Sequence, residues 1–144
     1  MFKGAVLTTM LASALATIVV HAPKADLTLD VARTESEREH GLMDRRVVSP
    51  HAGMLFVFER DENVDFWMKD TLVPLDMIFI AGDGTVRRVF SNVAVVAPTL
   101  PDDQIPREGA PAKYVIELPA GEASADGIVE GVKLDLRAAP APQP

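Results

Sequence analysis

Gly53-Met54-Leu55-Phe56-Val57-Phe58 is a short apolar run, rich in aromatic and branched side chains and opened by a glycine. A run of that length and make-up reads as a buried strand. Leu75 to Ile80 repeats the pattern with one polar residue, Asp76, and Gly82-Asp83-Gly84 turns it into a strand from Thr85 to Phe90. That is a hairpin signal. Val93 to Val96 can extend the same pairing. Upstream, Leu27, Leu29 and Val31 alternate with Thr28, Asp30 and Ala32, the period of a strand with one face inward. Downstream, Ala112 to Leu118 and Val132 to Leu136 read as further strands.

One helix interrupts this series. Thr34 and Glu37 form a capping box, in which each side chain satisfies a backbone N–H of the other's turn. The helix should run from Glu35 to about His40 and stop at Gly41, a C-cap glycine. Glu122 to Asp126 is a weaker helical turn after Pro119-Ala120-Gly121. Arg60 to Asn63 is polar and reads as a turn before a strand from Val64 to Met68, which Pro74 ends because proline cannot donate to a ladder. Pro98 to Pro111 lacks periodicity, carries four prolines, and reads as a long loop. Many short strands, Gly/Pro turns and one real helix predict a mainly β, single-domain β-sandwich or barrel-like fold with its short helix near the N-terminus of the domain.

The termini are different in character. Residues 1–25 carry Lys3 and an uncharged, mostly apolar stretch from Gly4 to Val20, the form of a signal peptide or an uncleaved N-terminal anchor. Cleavage after Ala22 or after Ala25 is the expected processing, each with Pro23 in an awkward position. The folded domain should then span 26–137, and the Ala/Pro tail 138–144 should be disordered. These features predict a periplasmic or secreted protein whose contact with membrane is limited to residues 1–25.

Composition excludes several classes of function. No cysteine is present, which removes disulfides, thiolate metal sites and cysteine nucleophiles. The 144-residue chain holds 14 Lys and Arg against 21 Asp and Glu, a net charge of −7, and such a chain repels nucleic acid. Asp61-x-Asn63-x-Asp65 begins like a calcium loop but has Phe66 where a sharp turn needs glycine and Leu72 where a bidentate Glu is needed. Met43, Met54, Met68 and Met77 are spaced as core fillers, not as a soft metal site. Gly82-x-Gly84 lacks the third glycine of a dinucleotide loop, and no Gly-x-Ser-x-Gly occurs. No cofactor and no metal is expected.

The cluster that carries chemistry is Phe66-Trp67-Met68-Lys69-Asp70-Thr71, followed by Pro74-Leu75-Asp76. The only Trp adjoins a Lys and two Asp. Asp76 and Glu117 each sit in an otherwise apolar strand, where a carboxylate must be paired, hydrogen-bonded or open to a pocket. Arg45 follows the helix stop in a loop that can approach Trp67. These five residues, Arg45, Trp67, Lys69, Asp76 and Glu117, are the candidate ligand-binding set, with Trp67 on the floor of a groove and the Pro98–Pro111 loop at its rim. Trp beside cations and carboxylates suits a small polar or sugar-like ligand. Two other readings compete: a hydrolase using Asp76 and Glu117 as a carboxylate pair, and a structural envelope protein acting through protein contacts.

The ordered motifs resemble the family catalogued as domain of unknown function 192. Its Gly-Leu-Met-x-Arg pattern is matched by Gly41, Leu42, Met43 and Arg45, and its Gly-Met-Leu-Phe-Val-Phe strand by Gly53 to Phe58. Its Phe-Trp-Met-Lys-Asn-Thr segment falls on Phe66 to Thr71, with Asp70 in the Asn place. Pro74-Leu75-Asp76 and the run from Tyr114 to Gly121 match further, with Ile116 for Leu. The resemblance covers roughly Leu27 to Leu136. It implies a β-rich, sandwich-like domain, often behind a signal peptide, and no particular reaction.

Overall fold

The computed structural model describes residues 14–144. Six strands form one sheet in the order β1-β2-β3-β6-β4-β5: β1 (Ala16–His21), β2 (Asp26–Ala32), β3 (Ala52–Trp67), β4 (Leu75–Ile80), β5 (Val86–Val93) and β6 (Arg107–Pro119). The helices are α1 (Glu35–His40) and α2 (Glu122–Ala125). The fold is mainly β and sandwich-like. The strand order is linear, so the sheet is open and not a closed barrel. Among the described residues no helix is long and apolar enough to cross a membrane.

The capping box forms as expected: Glu37 N donates to Thr34 Oγ1 at 3.1 Å, and Glu37 Oε2 accepts from Thr34 N at 3.0 Å. α1 lies in the crossover between the parallel strands β2 and β3. Arg38 pins it to the sheet by donating through Nη1 to the carbonyl of Val57 at 3.1 Å. Every residue of β4 is buried, because β4 pairs on both edges and is covered on both faces.

Alternation along the strands sorts the core into two layers. On one face, Leu27, Leu29, Val31, Leu55, Val57, Ile78, Ile80, Ile116 and Leu118 pack under Ala123, Ile128, Leu134 and Leu136. On the other, Met54, Phe56, Met77, Phe79 and Val115 pack under Phe66, Met68 and Ala112. The second cover comes from the far ends of β3 and β6. Their pairing shifts register between Val57 and Glu62, so that Phe58 to Asp61 stand against Lys113 alone. A bulge of this kind bends the ribbon, which brings Phe66 edge-on to Phe56 at 4.8 Å and to Phe79 at 5.7 Å. Asp61 holds the bend from outside, accepting from Gly82 N at 3.1 Å and pairing with Arg87.

Several local expectations change. Arg60 to Asn63 is not a turn between strands, because the polar residues sit in the bulge of one continuous strand. β6 starts at Arg107, inside the stretch read as loop, and Pro111 is tolerated there opposite Asn63 in a ribbon with no third strand beside it. What remains of the loop contains a 3-10 turn at Asp102–Gln104. Val132 to Leu136 makes one bridge, Thr85 with Lys133, and otherwise packs its side chains without a ladder. The tail has no regular structure, yet Arg33 Nε donates to the carbonyl of Ala141 at 2.9 Å and Gln143 N to that of Arg33 at 2.9 Å. Residues 1–13 of the stretch read as a targeting segment lie outside the described residues. Ala16–His21 of the same stretch form β1, and Val20 is buried in the first core layer.

Asp76 is the buried polar group around which the far end of the sheet is arranged. It is wholly enclosed. Its Oδ1 accepts from Asn92 N at 2.8 Å and Gly121 N at 3.1 Å, and its Oδ2 from Ala123 N at 2.9 Å. Gly121 is the N-cap of α2 and supplies no capping side chain, so Asp76 caps that helix from another strand. Replacement of Asp76 by Ala leaves three N–H groups without their acceptor, that of Ala123 fully buried and those of Asn92 and Gly121 partly so, and should cost about 3–5 kcal/mol in urea unfolding. Asp76→Asn keeps the volume and one acceptor and should cost less. An Asp76→Ala variant within about 1 kcal/mol of wild type would show that the clamp carries little of the stability.

Candidate functional site

A cavity of about 490 Å3 opens between α1, the second face of the sheet and the folded-back ribbon. Leu42, Phe56, Phe58 and Phe66 make its apolar wall, Trp67 and Arg107 stand at one side, and Glu117 lies at its base. Three local features shape it. The bulge after Val57 turns the ribbon over the sheet. The helix stop at Gly41, with φ at +51°, lets the chain pass close over the Phe56 ring, where a Cβ would come within 3.2 Å. Gly53 lets β3 lie tight on β6, since a Cβ there would stand 1.9 Å from the carbonyl oxygen of Glu117.

Glu117 is the chemically unusual group. Its register partners Met54 and Met77 are apolar and enclosed. It is 4 % exposed, and among the described residues no side chain or backbone group hydrogen-bonds its carboxyl. Among the described residues no side-chain oxygen is both sealed from solvent and without a hydrogen bond, and Glu117 lines the cavity. Burial alone pushes it up to about 8, because the charged form loses its water and gains no partner.

Trp67 is half-buried, and cations stand over its ring: Arg107 at 4.2 Å and Lys69 at 5.3 Å from the centroid. Each cation has its own acid. Arg107 donates to Asp65 at 3.0 Å, and Lys69 to Asp102 in the 3-10 turn at 2.6 Å. Trp67 also borders a second cavity, on the side of Phe90 to Val96, which Pro106 of the Pro-rich segment lines as well.

Of the five candidate residues, Trp67 and Glu117 line the same cavity. Lys69 reaches the site through the Trp67 ring. Arg45 does not: it pairs with Asp30 of β2 at 2.8 Å. Asp76 does not either. It pairs in register with Leu118 while Glu117 pairs with Met77, so the two carboxylates project from opposite faces of the sheet. The carboxylate-pair hydrolase is therefore corrected: two acids separated by the sheet cannot flank one scissile bond.

The site contains residues that sequence reasoning missed. Arg107 faces Trp67 across the ribbon, a pairing hidden because its segment read as loop. Phe56 and Phe58 read as part of a buried strand, and half of that role is correct; with Phe66, which belongs to the cluster singled out in the sequence, they form a wall as well. Asp70, in the place of the family's Asn, is exposed, has φ of +49°, and offers its carbonyl to Asp44 N at 2.9 Å. The position demands left-handed backbone, which Asn and Asp adopt more readily than other non-glycine residues.

One group of metal-ligating side chains occurs among the described residues, His51, Glu122 and Asp126. Their atoms already bind one another: His51 Nδ1 meets Asp126 Oδ2 at 3.1 Å, and His51 N donates to Glu122 Oε2 at 2.8 Å. The hydrogen bond and charge of Asp126 raise the His51 imidazole above its ordinary value. The trio latches α2 to the start of β3.

The DUF192 profile, described as "Uncharacterized ACR", matches residues 17–136. Two crystal structures are similar over most of the chain. One, from Sinorhizobium meliloti 1021 and named as a candidate transcription regulator, is 37% identical with a TM-score of 0.76, covering 85% of this chain and 95% of its own. The other, a protein of unknown function from Novosphingobium aromaticivorans DSM 12444, is 27% identical with a TM-score of 0.71, covering 84% of each chain. No curated protein matches.

The raised Glu117 carboxyl has a consequence for stability. The native state keeps a proton that the unfolded chain releases near the ordinary carboxylate value, so its contribution is full below that value and is lost as pH rises towards about 8. Glu117→Gln holds the neutral form at every pH. The difference in unfolding free energy, variant minus wild type, should therefore grow by a few kcal/mol between pH 5 and pH 9, read from urea melts. A difference that stays flat across this range would mean that Glu117 titrates as an ordinary surface acid.

Proposed function

This chain belongs to the DUF192 family, and we propose that it is an exported small-ligand-binding module whose site is the cavity beside Trp67. The observation that carries this reading is Glu117, an unpartnered and almost wholly buried carboxyl at the base of an aromatic-walled cavity. A protein interior leaves such a group only at a cost, and a functional pocket is where that cost is commonly retained. The volume, about 490 Å3, is in the range of small-molecule sites.

One similar protein is named as a regulator of transcription, but the charge of this chain does not favour nucleic-acid binding. The chain carries 14 Lys and Arg against 21 Asp and Glu, and Arg45, Lys69, Arg87 and Arg107 are each paired with a carboxylate, a charge balance opposed to the basic footprint that phosphate contacts require.

Export rests on Lys3 and the apolar stretch after it. β1 bears on where processing would fall. Removal of Ala16–His21 would strip the edge of β2 and uncover the core around Val20. Cleavage after Ala22 or Ala25 is thus disfavoured, and Ala12-Ser13-Ala14 has the small-residue form upstream of the strand. Intact-mass analysis of the protein from a periplasmic fraction should give an N-terminus before Ala16; a mature chain starting after Ala22, or an unprocessed cytoplasmic chain, counts against this reading.

Ligand binding is tested with the only Trp of the chain as reporter. A library of small polar, sugar-like and amphiphilic compounds is screened by Trp67 fluorescence, and positives are mapped by amide chemical shifts. Binders should perturb Leu42, Phe56, Phe66 and Glu117 together. If no compound moves these resonances, or if all positives map elsewhere, the cavity is not a binding site.

A further inference from the structure

We infer that the cavity recognises an organic cation, an ammonium group on a small apolar body, with Glu117 as its counter-charge. This deepens the binding-module reading and rests on it. The argument begins with the lining charges. Five carboxylates border the cavity, Glu35, Glu39, Glu62, Asp65 and Glu117, against two guanidinium groups and the exposed imidazole of His40. Both guanidiniums are already engaged. Arg38 Nη1 donates to the carbonyls of Arg33 and Val57 at 2.6 and 3.1 Å, with its head over the Phe58 ring at 5.3 Å. Arg107 is held by Asp65 and by the Trp67 ring. An anionic ligand would meet one guanidinium without an acid partner, Arg38, whose Nη1 is taken up by two carbonyls, and would face the surplus of acid.

A cation meets the opposite. Glu117 has no partner among the described residues, and its carboxyl opens to the cavity. Phe56 and Phe66, in edge-to-face contact at 4.8 Å, line the same cavity, and among the described residues no cation stands over either ring. An ammonium needs what these groups supply together: an acceptor in low dielectric and aromatic faces for the charge and the carbon body. The site already shows this preference internally, since the Phe58 and Trp67 rings each carry a cation of the protein. A sugar-like ligand, by contrast, needs several donors and acceptors beside the ring, and the inner wall of Leu42, Phe56 and Phe66 offers none.

Ligand charge and Glu117 are linked. Glu117 must release its proton to pair with an ammonium, so binding expels a proton wherever the empty site is protonated. Affinity should then rise by up to about tenfold per pH unit below the titration of Glu117 and level off above it.

The test uses three probes of one shape on the mature protein: 2-phenylethylammonium, 2-phenylethanol and phenylacetate. Each is titrated by calorimetry in two buffers of different ionisation enthalpy, and its position is mapped by amide shifts. The expected result is that the ammonium binds at least tenfold tighter than either other probe, with proton release near neutral pH. Glu117→Gln should remove both the preference and the proton release while the far-ultraviolet spectrum stays unchanged. If the alcohol or the acid binds in the cavity as well as the ammonium, the cation assignment is overturned and the binding site stands. The same follows if ammonium binding is independent of pH in the wild type, a result that does not depend on the variant folding. If no probe shifts the cavity resonances, the cation assignment falls, and failure of the wider screen as well removes the binding site with it.

Discussion

Three backbone N–H groups converge on the carboxylate of Asp76, and much of the domain's far end depends on that convergence. The donors belong to the end of β5, to the turn after β6 and to the first turn of α2. The Ala123 N–H is buried and needs an acceptor, and those of Asn92 and Gly121 are partly buried beside it. A four-residue helix capped by glycine cannot hold itself together, and Asp76 supplies the missing cap through the sheet. Ala120 N adds to the junction by donating to the carbonyl of Pro74 at 3.1 Å. The Pro-Leu-Asp and Pro-Ala-Gly motifs, far apart in sequence, are two halves of one joint.

The two buried acids of the sheet show how the same residue class divides between structure and chemistry. Asp76 and Glu117 sit on adjacent strands one register step apart. The pleat sends one towards α2, where N–H groups surround it, and the other towards the folded-back ribbon, where its register partners Met54 and Met77 are apolar and no group hydrogen-bonds it among the described residues. The first carboxyl is satisfied and rigid. The second is kept neutral by burial and opens to a cavity. The cavity exists because the bulge at Phe58–Asp61 bends the ribbon across the sheet without closing down on it.

Much of the architecture was legible in the residues. The apolar runs at 53–58 and 75–80, the capping box at Thr34 and Glu37, and the glycine turn at 82–84 declare themselves through local rules that need no partner. The oddity of Asp76, Glu117 and Trp67 was also visible, since each breaks the pattern around it. The reach of β3 and β6 was not. Arg60 to Asn63 has turn composition because a bulge exposes its residues just as a turn does, and local polarity cannot tell the two apart. Arg107 to Pro111 lacks apolar periodicity because a ribbon needs no fully buried face, so it resembles a loop.

Local propensity and alternation therefore determined that this chain is a mainly β domain with one capped helix, acidic, free of cysteine, and carrying three polar or amphipathic residues in apolar surroundings. Which of those three share a site was decided by the tertiary structure alone. Whether Asp76 and Glu117 face each other or face apart depends on the register between β4 and β6, and a shift of one residue inverts the answer. Whether Trp67 meets Arg45 or Arg107 depends on the path of a bent ribbon and on Asp30 capturing Arg45 first. Register and bending are set by the packing of whole layers, a sum over many contacts that no short stretch of sequence contains.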